Sequence, residues 1–157
     1  MHLYRTIRPY WLVIAVGCGP DVKSPSIELQ FAAASDSVPI PPNFATDAFV
    51  QSQTAPQNIT ALRCHGLIVE EGSSTVQWSI ALTNDSAGEL IILLDNVAAE
   101  VYSNRVSLDV LYQPQSPNDN GVIEGIFPED VLTCTISAED GTNPMSTESQ
   151  SLSVLAD

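Results

Sequence analysis

Basic side chains are scarce in this 157-residue sequence: five Lys and Arg stand against nineteen Asp and Glu, for a formal net charge of −14. Arg5, Arg8 and Lys23 fall near the start, and beyond Ser24 only Arg63 and Arg105 are basic. Such a surface repels phosphate backbones and anionic membrane faces, which proteins bind through Lys and Arg clusters, so nucleic acid is not expected as a partner. Histidine is nearly missing too, with only His2 and His65. No Ser-His-Asp arrangement can be assembled from them, and because neighbours on a strand point to opposite faces, Cys64 and His65 do not make a thiol nucleophile with its base. No glycine loop of the phosphate-cradling kind occurs. The acidic pairs Glu70-Glu71 and Glu139-Asp140 lack the spaced oxygen ligands of a calcium loop and read as solvated loop acids. Neither a cofactor nor a metal is expected, and no enzyme activity. Long apolar runs are also lacking: nothing approaches the ~20 residues of a membrane-spanning helix.

What the sequence does have is 44% hydrophobic against 15% charged residues, too apolar for an acidic disordered tail and sufficient for a packed core. The length accommodates one ordinary domain of roughly 100–150 residues and a short extra segment. The opening MHLYRTIRPYWLVIAVGCG sets a short basic stretch before the apolar run Tyr10 to Val16 and then small residues, the layout of a secretory signal peptide. A signal is therefore expected over residues 1–18, cut after Gly17 or Cys18, and the choice decides whether Cys18 remains. Residues 19–43 hold Pro20, Pro25, Pro39, Pro41 and Pro42 among serines and alanines and read as a leader or linker, leaving 44–157 for the domain. Three cysteines make an odd count. If Cys18 leaves with the signal, Cys64 and Cys134 remain as a pair, as an oxidising compartment favours. Two glycosylation sequons, Asn58-Ile-Thr60 and Asn84-Asp-Ser86, are consistent with a secreted, extracellular chain.

Beyond residue 43 no window shows a 3.6-residue apolar stripe with helix caps, and short β-prone runs alternate with turn signals. The fold class expected is all-β. Strands are predicted over 59–64, over 75–82 with Val76, Trp78, Ile80 and Leu82 on one face, over 89–95, and over 105–112. Further strands are predicted over 122–127, 131–137 and 150–155, and their regular spacing suggests a sandwich or barrel.

Trp78 follows Cys64 by fourteen positions and Cys134 follows it by seventy. With Leu62-Arg63-Cys64, Val76-Gln77-Trp78, Gly88-Glu89-Leu90-Ile91, Arg105-Val106-Ser107, Phe127-Pro128-Glu129-Asp130 before Cys134, and Ser151-Leu152-Ser153-Val154, the chain from about residue 45 to 156 resembles the variable-type immunoglobulin family. The resemblance implies an immunoglobulin-like Greek-key β-sandwich in which a Cys64–Cys134 disulfide joins the two sheets and Trp78 packs over it. It makes Arg105-Val106-Ser107 the family's strand D, with Arg105 paired to Asp130 or Glu129. The sequence departs from the pattern in two ways: Leu132 occupies the core position where the family places a corner tyrosine, and the acid stands about two residues nearer the second cysteine. A rival division ends one domain at Val110-Leu111-Tyr112-Gln113-Pro114 and opens a second at Ile123, making the chain a fragment of a multi-domain receptor.

The function implied by resemblance is non-catalytic: a recognition or adhesion module, of the kind used in immune recognition, with an extracellular protein or glycan as ligand. The corresponding loops are His65 to Ser74, Asp95 to Asn104 and Ala138 to Glu148, the last presenting Glu139, Asp140 and Asn143. The alternative is a structural module that forms a homodimer or pairs with another immunoglobulin-like domain.

Overall fold

A computed structural model describes residues 23–40, 54–113 and 121–156. Eight strands and no helix occur among them: β1 (Ser26–Ala34), β2 (Thr54–Ala55), β3 (Ala61–Val69), β4 (Thr75–Asn84), β5 (Glu89–Glu100), β6 (Arg105–Tyr112), β7 (Val131–Glu139) and β8 (Ser146–Val154). They form two sheets, one in the order β1-β3-β6 and the other β2-β8-β7-β4-β5. All pairs are antiparallel except β2 with β8, where Thr54 and Ala55 run parallel beside Ser153 and Val154. The sheets pack into a β-sandwich. The central strands contribute alternate residues to the core, as period-two side-chain geometry requires: Leu62, Cys64 and Ile68 from β3, Ile80 and Leu82 from β4, and Leu132, Cys134 and Ile136 from β7 are all completely buried.

Cys64 and Cys134 form a disulfide from β3 to β7 with their Cα atoms 6.4 Å apart. Closing a loop of 70 residues restricts the unfolded chain and contributes about 2–4 kcal/mol. Two residues further along both strands the sheets meet again, where a methyl group on Gly66 would collide with Ile136 Cδ1. A side chain there would require the Ile136 Cδ1 methyl to move aside. Trp78 takes a different place from the one the resemblance implied. Its ladder partners are Ala138 and Val97, whereas the residue beside Cys134 is Leu82. The indole is thus four residues, roughly 13 Å along the strand, from the level of the disulfide, half-buried at the border of the core.

Three elements differ from the sequence-based expectation. The segment read as leader or linker contains β1, nine residues paired along their whole length with β3. Its Ile27-Leu29-Phe31-Ala33 alternation faces inward, with Phe31 fully buried and the others packed against the core. Residues 122–127 form no strand. Gly121 and Gly125 adopt φ of 71° and 83°, outside the β region, and the segment instead drops Ile123 into the core while its amide donates to Ile59 O at 2.7 Å. Consequently β6 lies directly beside β3 at the far edge of the smaller sheet, and no strand lies beyond it among the described residues. Residues 1–18, expected to be a signal, lie outside the described residues, Cys18 among them.

The chain enters and leaves the sandwich at opposite ends: Ser26 begins β1 opposite Val69, the last residue of β3, whereas β8 finishes beside Val131, the first residue of β7.

Candidate binding loops

The turns after β3, β5 and β7 all emerge at the end where β1 begins, because Thr75 pairs with Glu100, Val69 with Arg105 and Gln77 with Glu139. The strands run further than the sequence suggested, so the three loops shorten to 70–74, 101–104 and 140–145. Two backbone hydrogen bonds lash the first two together: Val101 N donates to Ser74 O at 2.9 Å, and Glu70 N donates to Asn104 O at 3.0 Å. Ser103 and Asn104 hold φ of 51° and 62°, left-handed values that Asn tolerates better than most residues.

Glu70, read as a solvated acid, is 1% exposed. One carboxylate oxygen accepts the amides of Gly72 at 2.7 Å and Ser73 at 3.0 Å, which fastens the turn, while the other is buried without a partner. Glu71 beside it is exposed. In the third loop, Asp140 Oδ1 accepts the amides of Thr142 and Asn143, both at 2.7 Å, and Oδ2 accepts the Asn143 side-chain amide at 2.7 Å. These donors, led by the Asn143 backbone amide, hold the Asp140 carboxyl below the ordinary aspartate range because they stabilise the charged form. The loop is therefore rigid at its base, with Gly141 at φ 79° and Met145 60% exposed at its exit. Tyr102 stands 70% exposed on the middle loop. Its hydroxyl donates to the Glu100 carboxylate, which raises its pKa. Glu71, Glu100 and Glu139 are exposed at this end, and Arg105, the first residue of β6, and Lys23, three residues before β1, are basic.

Other residues singled out from the sequence lie elsewhere. Leu132 is fully buried. Arg105 forms no ion pair with Asp130 or Glu129. The Asp130 carboxylate instead accepts Asn84 Nδ2 at 2.8 Å and the Phe127 amide at 2.9 Å, closing the turn that Glu129 passes with φ 71°. Among the described residues Arg63 pairs with Asp109, bidentate at 2.9 and 2.7 Å across β3 and β6. The Arg63 guanidinium holds Asp109 below the ordinary aspartate range. No sequence periodicity marks that pair; it becomes visible only through the register that sets Arg63 and Asp109 diagonally on one face.

The two sequons part company. Asn58 is exposed, at φ 52°, beside a depression of about 340 Å³ lined by Ser35, Asp36, Ser37, Gln57 and Val122. Asn84 is 1% exposed, its side-chain amide donating to Gly125 O and Asp130 and its oxygen accepting the Ala87 amide. In the folded chain Asn84 is closed to modification and acts as a buried lock on the turns at 85–88 and 125–130.

No helix among the described residues is long and apolar enough to cross a membrane. Comparison with protein-family models gives no match, and comparison with curated proteins likewise gives none.

Proposed function

We propose that this protein is an immunoglobulin-like module of the variable type that works outside the cell as a non-catalytic recognition unit, gripping a protein or glycan ligand with the loops 70–74, 101–104 and 140–145. The fold assignment is supported by order: β8-β7-β4-β5 reproduces the G-F-C-C′ run of a variable domain, β1-β3-β6 reproduces A-B-E, and the disulfide joins the B and F positions. The lack of a strand beside β6 among the described residues, the displaced Trp78 and Leu132 in the corner position mark a divergent member. The observation that carries the functional reading is that three loops from two sheets converge at one end and are fixed there, two by backbone and Glu70 hydrogen bonds and the third by Asp140. Loops of this kind on a rigid sandwich commonly carry binding. The exposed acids Glu71, Glu100 and Glu139 favour a ligand face that is basic, and Tyr102 and Met145 supply exposed apolar surface at the same end.

The test is binding to arrays of extracellular proteins and glycans by the parent chain and by a variant carrying Glu71→Ala, Tyr102→Ala and Met145→Ala. All three side chains are exposed, so the variant should melt like the parent and lose its array ligands at least ~10-fold. Ligands retained at parental strength by the variant would move the site away from these loops. Catalytic turnover of a bound ligand would overturn the non-catalytic reading.

A further inference from the structure

We propose that the outer edge of β5 is a self-association site, to which a second copy of this chain adds its own β5 antiparallel and so continues the larger sheet across a two-fold axis. The proposal stands apart from the loop reading and uses a different part of the molecule. Among the described residues β5 closes its sheet on one side and pairs with β4 alone, so its outward N–H and C=O groups have no strand partner among them. An edge of this length invites another strand wherever charges, proline, bulges or a covering element do not defend it; on β5 the bulges and the acids Glu89, Asp95 and Glu100 lie outside Ile92-Leu93-Leu94. Residues 89–100 contain neither lysine nor proline, and Leu90, Leu93 and Leu94 are 56%, 53% and 38% exposed.

What selects a copy of the same strand is the arrangement of its acids and irregularities. Pairing with β4 shifts register at Ile91 and again at Asp95 and Asn96, which leaves Ile92-Leu93-Leu94 as the regular stretch between them. A two-fold centred on Ile92 would set Glu89 directly opposite Asp95, and like charges opposite one another destabilise a ladder. Centred on Leu93, the two-fold sets Leu93 against Leu93, Ile92 against Leu94, and Ile91 against Asp95, so the irregular residues meet each other. Glu89 then faces Val97. In a chain of net charge −14, two copies repel over most of their surfaces, and an acid-free apolar stretch is where contact costs least. Because that repulsion is screened by salt, the dimer gains from added salt.

The experiment is sedimentation velocity on the full chain, from roughly 5 to 500 μM at about 0.1 and 1 M salt. The expected result is a mass rising from one chain toward two with concentration, further along at the higher salt. Leu93→Lys places two like charges at the two-fold and loses the dimer, whereas Leu111→Lys, equally exposed on the β6 edge, dimerises like the parent. Melting curves show whether each variant is folded. A second variant is independent of that question: Leu93→Cys cross-links to its copy under mild oxidation, since directly opposite Cβ atoms lie ~5 Å apart, and Leu111→Cys does not. A single-chain mass throughout, or equal dimerisation by the two lysine variants, would overturn the proposal.

Discussion

The two sides of the sandwich handle the same problem in opposite ways. On the side of β1, β2 and β8, the chain covers its own edges. Phe31 N donates to Gln150 Oε1 at 3.1 Å across the sheets, β2 caps β8, Leu155 N bonds to Ala55 O at 3.0 Å, and Gln57 reaches Ala156 O at 3.0 Å. On the side of β5 and β6 both edges are bare among the described residues, with Leu93 and Leu111 each 53% exposed. The closed side shows that a short parallel strand and one glutamine suffice to satisfy an edge. The open side, lacking both, leans on acids and bulges to stay unpaired with the wrong partner.

That contrast can be broken from its closed side first. Phe31→Ala removes a fully buried ring from β1 and should lower unfolding free energy by about 3–5 kcal/mol in a denaturant titration; a change under ~1 kcal/mol would mean that β1 adds little to the core. Removing the cystine with Cys64→Ala and Cys134→Ala should cost about 2–4 kcal/mol and loosen both sides alike, visible as a uniform gain in amide exchange. Gln150→Ala should cost only about 1 kcal/mol but raise exchange at the Phe31 amide selectively, which sharpens the comparison because the bare β5 edge should exchange at its parental rate.

The smallest expected effect concerns pH on the open side, where Arg63 and Asp109 tie β3 to β6. Asp109 titrates below the ordinary aspartate value of 3.8 when folded. Its contribution is therefore complete above that value and disappears as pH falls through the lowered folded-state pKa. Both side chains are partly exposed, at 29% and 46%, so Arg63→Ala should change stability at neutral pH by no more than about 1 kcal/mol, with no difference left in strong acid.

The strands with clean alternation and turn signals were legible: 75–82 and 105–112 fall within β4 and on β6. β1 was hidden, although Ile27-Glu28-Leu29-Gln30-Phe31 alternates, because prolines on both sides of it gave the segment the composition of a linker. Residues 122–127 misled in the reverse direction, since β-prone side chains there are outweighed by Gly125 within the segment and Gly121 just before it, both at positive φ. Of the candidate site, the placement of Asp140 and Asn143 on an exposed turn was legible from turn chemistry. The burial of Glu70 was not, because a carboxylate that fastens its own loop has the same composition as one that faces water. The Asn84 sequon could not reveal that its amide closes two turns; that depends on Gly125 and Asp130, more than forty residues away.

The polarity of the chain through the sandwich governs how such a module could be mounted. Because β1 starts at the end that bears the loops and β8 stops at the other, any support joined ahead of Lys23 stands next to the loops, while one joined after Ala156 stands behind them. A tether at the front would turn the loops toward their own anchorage and favour a partner held close to it. A tether at the rear would hold them outward, like a hand on an extended arm, within reach of whatever approaches.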